Sequence, residues 1–138
     1  MFEVLEAKGD SAMSSEQDRY IKRMIEGYLD AALWVGVWDA DGDLVHGLTV
    51  ADIDSATLRE AESDVADFAR SMWSILSTTE PWATMPEQAG HDFYLTRNGH
   101  GAGFWDRGAG AAGDELSDAA RPYGSVDWFL QAGEVVGA

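Results

Sequence analysis

The spacing of apolar residues predicts a helix near the start of the chain. Apolar side chains between Tyr20 and Leu29 recur three or four residues apart, as they do along one face of a helix. Ser14 and Gln17 resemble a capping box, so we place this helix from about Ser15 to Asp30. Residues 1–13 lack the period and are predicted to form a loose arm or a short edge strand.

A second helix is predicted to begin at a cap formed by Asp54 or Ser55. Its apolar face contains Leu58, Ala61, Val65, Phe68, Ala69, Met72, Ile75 and Leu76. Glu60, Asp64 and Asp67 follow the i, i+4, i+7 spacing on the opposite side, where like charges destabilise an isolated helix by a few tenths of a kcal/mol per pair. This acidic stripe is either a solvated face or a surface displayed to a basic partner.

The segment between these helices is predicted to form a hairpin. Leu33–Trp38 and Leu44–Val50 are rich in β-branched and aromatic residues and flank the turn sequence Asp41-Gly42. The alternative is that the first part extends the first helix, but Gly36 is costly inside a helix and favours the hairpin.

Three aspartates in this turn, Asp39, Asp41 and Asp43, have the spacing of calcium ligands. Gly42 comes too early to be the glycine of a calcium loop, and the twelfth position is Val50 instead of a glutamate. We therefore interpret the aspartates as an acidic turn.

The C-terminal half is predicted to contain a hairpin, a helix and a second pair of strands. Asp92–Arg97 alternates in polarity, Asn98-Gly99 is a strong hairpin turn, and Ala102–Asp106 would return. Further along, we predict a helix over Ala111–Arg121, a strand over Val126–Leu130, a turn at Ala132-Gly133 and an edge strand at Val135-Val136. Before the hairpin, Pro81 and Pro86 bracket a loop under which Trp82 and Met85 are expected to pack.

Together these elements predict a single α+β domain over residues 1–138. Two N-terminal helices would pack on a small, mostly antiparallel sheet built from the C-terminal half, with one further short helix.

The segment from Gly90 to Gly108 is the densest in residues capable of chemistry. Its candidate site residues are His91, Asp92, Arg97, His100, Asp106 and Arg107. His91 and His100 would lie about 25 Å apart in an extended strand, too far to ligate one metal. Asp92, Asp106 and Arg107 could instead form a structural ion-pair cluster. Because the glycines do not form a nucleotide-binding loop and no nucleophile elbow or zinc motif occurs, we assign no catalytic residue, cofactor or metal.

Composition limits the kind of partner this chain can bind. The 138 residues include 25 acids and 9 bases, for a net charge of -16, together with six tryptophans and no cysteine. This charge disfavours direct binding to nucleic acid. No apolar run is long enough to span a membrane and no signal peptide is recognised, so we expect a cytoplasmic protein. The acidity could also reflect solubility or the source of the sequence.

The motif AGHDFYLTRNGHGAGFWDRG, with the helix after it and the segment PYGSVDWF, resembles a family of small acidic proteins encoded by bacteriophages. The resemblance covers residues 89–130. It implies an accessory protein expressed in the cytoplasm of the host, and it carries over no catalytic or binding residues, because the family is mostly uncharacterised.

From charge and resemblance together we expect a non-enzymatic protein that binds a basic host protein, such as a restriction, CRISPR or other defence factor, and occupies its nucleic-acid site. The acidic partner-binding residues would be Asp39, Asp41, Asp43, Glu60, Asp64 and Asp67. Two alternatives remain open: a small enzyme or ligand-binding protein with its site at the hairpin, and a structural or assembly protein of the phage. A homodimer is compatible with each of them.

Overall fold

The computed structural model describes the backbone of residues 2–137 and the side chains of residues 15–137. Its helices and strands, in chain order, are α1 (Phe2–Val35), β1 (Val37–Trp38), β2 (Leu44–Val45), α2 (Ser55–Ser71), α3 (Trp73–Leu76), α4 (Pro86–Arg97), α5 (Ala111–Ala120), β3 (Trp128–Gln131) and β4 (Glu134–Gly137). Short 3-10 helices lie at Val50–Asp52, Phe104–Asp106 and Arg121–Tyr123. The predicted α+β class is confirmed.

The first helix begins earlier and ends later than predicted. The backbone is helical from Phe2, so Ser14 lies inside α1 and does not cap it. The side chains of the predicted arm lie outside the described residues. At the other end, Gly36 has a φ of +112°, which glycine adopts without the steric cost of a Cβ. Leu33–Val35 therefore extend α1, whereas Val37–Trp38 begin a strand, so each alternative for this segment is right for one part of it.

The two helices α1 and α4 approach each other so closely that their backbones touch. A Cβ atom on Gly90 of α4 would collide with the carbonyl oxygen of Met24 and the amide nitrogen of Tyr28 in α1. A Cβ atom on Gly27 of α1 would collide with the backbone of Glu87 in α4. Because side chains at a contact set the distance between helices, these two glycines permit the close approach.

The second helix confirms the prediction for its start and for its apolar face as far as Ala69, but it ends at Ser71, so Met72, Ile75 and Leu76 lie beyond it. Asp54 caps α2 by accepting hydrogen bonds from the amides of Ala56 and Thr57. Phe68, on the buried face of α2, stacks on Phe93 of α4 with 4.3 Å between ring centroids. Stacking between these rings joins α2 to the α1–α4 pair, so the three helices share one aromatic core.

The sheet has the strand order β2-β1-β3-β4. The β1–β2 and β3–β4 pairs are antiparallel, which confirms the hairpin around Asp41-Gly42 and the C-terminal strand pair. Between them, β1 and β3 pair in parallel, with Trp38 opposite Phe129. The sheet is therefore mixed, and it takes two strands from the segment that follows α1 as well as two from the C terminus.

The predicted hairpin at Asp92–Asp106 is wrong. Residues Pro86–Arg97 form α4, and the chain then turns through Asn98-Gly99 into the 3-10 helix at Phe104–Asp106. Buried residues occur around most of the circumference of α4, so it has no continuous polar face to produce a helical period. In addition, aromatic residues are frequent in strands and glycine is unfavourable inside a helix, so the composition of α4 resembles that of a strand. Pro86, at the first position of the helix, was the sequence signal for its start.

The loop before α4 packs as predicted at one of its two hydrophobic residues. Trp82 is fully buried, and its indole ring lies 5.5 Å from the ring of Phe104. Met85 is 49% exposed, so the prediction that it packs under the loop is wrong.

We expect Gly90→Ala to lower the free energy of unfolding by about 3 kcal/mol, because a methyl group there must push α1 and α4 apart. The higher helix propensity of alanine, worth about 1 kcal/mol, would act in the opposite direction. Urea unfolding followed by circular dichroism measures the change. Gly101→Ala is the control, since a Cβ atom there meets nothing within 4 Å. If Gly90→Ala is as stable as that control, the close helix contact is refuted.

Candidate functional site

The six residues predicted as an alternative site belong to three structural elements. His91, Asp92 and Arg97 lie on α4, His100 lies in the turn after it, and the remaining two residues, Asp106 and Arg107, lie at the 3-10 helix and just beyond. Their surroundings decide whether they can act together.

Asp92 is fully buried and accepts hydrogen bonds from three side chains. Trp82 Nε1 donates to Oδ2 at 2.8 Å, and Gln88 Nε2 donates to Oδ1 at 3.0 Å. Arg107 donates from Nε and from Nη2, the latter to Oδ1 at 2.7 Å. The hydrogen bond to Asp92 raises the pKa of Arg107 by stabilising its protonated form. Both carboxylate oxygens are occupied by the protein itself, so Asp92 is a structural counter-ion and not an available acid or base.

Arg97 is buried, and its guanidinium donates hydrogen bonds to four groups. Nε donates to the carbonyl of Gly124 at 2.8 Å, and Nη2 donates to the carbonyl of Tyr123 at 3.0 Å. Nη1 donates to Asp64 at 2.8 Å and to the hydroxyl of Tyr28 at 3.1 Å. A guanidinium with this many internal acceptors has little left for a ligand. The hydrogen bonds of Arg97 therefore connect the segment after α5 to α4, α1 and α2.

The candidate residues do not converge. Asp92 and Arg97 are five positions apart on α4, which places them about 140° apart around the helix axis. His100 is exposed and its ring lies against Tyr94, 6.3 Å between centroids. His91 is half-buried, and Asp106 is exposed. Of the predicted ion-pair cluster of Asp92, Asp106 and Arg107, the structure contains the pair of Asp92 with Arg107. Among the described residues, Asp106 takes no part in that pair.

The acidic turn of the β1–β2 hairpin is organised by Asp39. Its Oδ1 accepts the amides of Asp41 and Asp43, each at 2.9 Å. This arrangement supports the interpretation as an acidic turn, because an aspartate that accepts backbone amides two and four residues on is typical of a turn. Asp41 and Asp43 are exposed, so their charges face solvent.

The acidic stripe of α2 is only partly a free surface. Asp64 is half-buried and is the counter-ion of Arg97, and Asp67 accepts a hydrogen bond from the hydroxyl of Tyr123. Glu60 is exposed. We predicted that all three acids face away from the protein. This prediction is wrong for Asp64, because the stripe lies next to the segment after α5 that Arg97 binds. Sequence spacing cannot reveal such a distant partner.

A groove that was not predicted from the sequence lies beside the end of α1. It has a volume of about 340 Å³, and the residues that line it include Trp38, Leu44, Tyr94, His100, Asp127 and Trp128. We call it the aromatic groove. The one sequence signal for the outer wall of the aromatic groove is the alternation along β1, where Val37 is buried and Trp38 is exposed. The remaining walls come from α4 and from the segment before and within β3, which only folding brings together.

No family model, no curated protein and no solved structure matches this chain. Within residues 15–137, no group of three or more histidine, aspartate and glutamate side chains is arranged to hold a metal ion. Among the described helices, none has both the length and the apolar composition needed to cross a membrane. The resemblance to phage proteins therefore stays a prediction.

All four tyrosines have a raised pKa, and burial is the largest cause in each case. Burial raises the pKa of Tyr94 to about 12, with smaller contributions from Tyr28 and then from the carboxylate of Asp127. The hydroxyl of Tyr20 donates to the carbonyl of Trp82 at 2.8 Å, a bond that requires the protonated phenol. The folded protein therefore keeps its tyrosines protonated at a pH where an unfolded chain ionises them.

We expect Arg107→Ala to lower the free energy of unfolding by about 2 kcal/mol. The change leaves the buried Asp92 with two donors, and a broken buried pair costs 3–5 kcal/mol, less here since the Arg107 side chain is 30% exposed. Arg121→Ala is the matched control: it removes an exposed pair with Asp118, so the free energy should hardly change. Urea unfolding measures each value. If the two variants lower the free energy of unfolding equally, the buried pair stabilises the protein no more than the exposed pair does, and the prediction is wrong.

We expect stability to fall as the pH rises above 10. The unfolded chain loses phenolic protons near pH 10, whereas Tyr94 keeps its proton to about pH 12, so each pH unit between these values costs up to about 1.4 kcal/mol for that residue. Below pH 10 this contribution is fully present. Absorbance at 295 nm should show tyrosine ionisation delayed until the protein unfolds, with ordinary titration near pH 10 in denaturant. Four tyrosines ionising near pH 10 with an intact circular dichroism spectrum would contradict this.

Proposed function

We propose that this protein is a non-enzymatic, phage-encoded accessory protein that binds a basic, nucleic-acid-binding protein of the host and occupies its nucleic-acid site. The proposal also places it in the host cytoplasm. It rests on how charge is divided between the interior and the surface.

The observation that carries the proposal is the inward direction of two arginines. Arg97 and Arg107 form ion pairs with Asp64 and Asp92, and the Arg97 side chain is only 3% exposed. The chain has only 9 bases to set against 25 acids. Each internal pair uses one base and one acid, so the excess of acids is unchanged, but the groups that remain are 23 acids and only 7 bases.

Exposed acids occur on more than one element. Asp41 and Asp43 lie on the β1–β2 turn, and Glu60 lies on α2. Their carboxylates make no side-chain hydrogen bond among the described residues. Carboxylates distributed over a rigid surface resemble the phosphates of nucleic acid in charge, and a protein that binds phosphates through lysine and arginine would attract them.

The same geometry weakens the enzymatic alternative. Among the candidate site residues, Asp92 and Arg107 are paired with each other, and Arg97 is held by backbone carbonyls and Asp64. An acid or base with no free position cannot reach a substrate proton. His91, His100 and Asp106 remain, and they lie on three different segments.

The proposal is tested by capture of partners from a bacterial host lysate on immobilised protein at about 50 mM and 500 mM salt. Captured proteins are identified by mass spectrometry, and each is assayed for binding to its nucleic acid with and without the soluble protein. We expect a nucleic-acid-binding protein at low salt, its loss at high salt because the Debye length shrinks, and inhibition of its nucleic-acid binding.

Two charge-reversal variants make this test specific. The double variant Asp43→Lys, Glu60→Lys reverses two charges on the surface proposed to bind the partner. Asp64 is left unchanged because it forms an ion pair with Arg97. Glu115→Lys with Glu134→Lys changes the net charge by the same amount on α5 and at the β3–β4 turn. We expect at least about tenfold weaker capture for the first pair and a smaller change for the second. Equal loss from both pairs, or recovery of no nucleic-acid-binding protein, would refute the proposed function.

A further inference from the structure

The aromatic groove combines aromatic walls with a single fixed charge. Among the described residues that line it, Asp127 is the only aspartate, glutamate, lysine or arginine. The Asp127 side chain is exposed and forms no ion pair or hydrogen bond with any other side chain described. A groove whose described lining holds one carboxylate and no lysine or arginine favours a positively charged occupant.

The aromatic walls favour the same occupant. Trp38 is 38% exposed, so part of its indole surface is open to solvent at the groove. Tyr94 and Trp128 are almost completely buried and form a firm inner wall. The exposed ring of His100 lies against Tyr94, with 26° between the ring planes. The face of an indole ring is electron-rich and attracts cations, more strongly when water is partly excluded.

The carboxylate and the aromatic walls act on the same space. Asp127 is close enough to contribute to the raised pKa of Tyr94, whose side chain lines the groove. A cation in the groove would therefore lie within the field of the carboxylate while in contact with aromatic rings. Leu44, which is paired with Trp38 across β1 and β2, adds an aliphatic surface beside them.

We propose that the aromatic groove binds an arginine side chain of the basic partner, with the guanidinium beside Asp127 and Trp38 and the methylene groups against Leu44. This inference rests on the proposed function and names the contact that would anchor the partner. Arginine fits better than lysine because its guanidinium is flat, stacks on aromatic faces and is less strongly hydrated than an ammonium group. The volume of about 340 Å³ lies within the range of sites for small ligands.

An uncharged side chain fits this groove less well. It would withdraw water from the carboxylate of Asp127 without supplying a counter-charge, and desolvating an unpaired charge is costly. Arginine residues are also frequent anchors in protein interfaces, where one side chain in a pocket supplies much of the binding energy.

The test uses N-acetyl-arginine amide as the probe and N-acetyl-citrulline amide as its neutral control of nearly the same shape. Nitrogen-15 NMR spectra of the full chain follow the indole N–H signals, with that of Trp38 assigned from Trp38→Phe. We expect saturable shifts of the Trp38 signal with the arginine amide and at least about tenfold weaker binding of the citrulline amide. Equal binding of both compounds, or no shift with either, would overturn the inference. Equal binding of N-acetyl-lysine amide would overturn the assignment to guanidinium.

Matched variants locate the site. Asp127→Asn removes the charge and keeps the shape, and Trp38→Leu removes the aromatic face and keeps an apolar side chain. We expect each to weaken binding of the arginine amide by about fivefold. Glu115→Gln and Trp34→Leu are the controls, because both residues are exposed and neither lines the groove. If the controls weaken binding as much as the groove variants, the arginine amide binds elsewhere and the inference fails.

The outcomes separate this inference from the proposed function. Binding of the arginine amide in the groove, without a nucleic-acid-binding partner in the lysate, would support the groove and refute the function. Salt-sensitive capture of such a partner, unaffected by Asp127→Asn and Trp38→Leu, would support the function and refute the groove as its anchor.

Discussion

The backbone contact between α1 and α4 is the constraint on which the rest of this structure depends. Gly27 and Gly90 bring the two helices together without side chains between them. That closeness places the Tyr28 ring 5.6 Å from the ring of Phe93, which in turn stacks on Phe68 of α2. A helix pair held further apart would open space in this aromatic layer, and the interior of a protein tolerates such voids poorly.

Arg97, which is buried, and Arg107, which is partly exposed, then attach the C-terminal segments to this layer. Arg97 binds the carbonyls of Tyr123 and Gly124, and Arg107 binds Asp92 inside the helix group. A buried charge costs free energy unless it is paired and hydrogen-bonded, so these residues specify where the segments lie. The same pairs withdraw two cations from the surface together with their two carboxylate partners, so few cations remain among the exposed acids while the net charge is unchanged.

The surface that results has two distinct parts. Exposed carboxylates such as Asp41 and Glu60 provide charge that acts over several ångströms and is screened by salt. The aromatic groove provides short-range contact, with Asp127 and Trp38 at its opening. Long-range attraction followed by one close anchoring contact is a common division of work in protein association, because charge accelerates encounter and buried contacts slow dissociation. The proposed partner would contact both parts.

Local pattern was sufficient for the α+β class, for α2 with its Asp54 cap, for α5 and for both β-hairpins. These elements have a solvent side, which leaves a period or a turn signal in the sequence. The sequence did not reveal that Asp92–Arg97 is helical, because α4 is surrounded by other elements and lacks a polar face. Nor could it show that Arg97 pairs with Asp64, 33 positions away, or that β1, α4 and β3 enclose a groove. Those features are contacts between distant segments, and only tertiary packing determines which distant side chains meet.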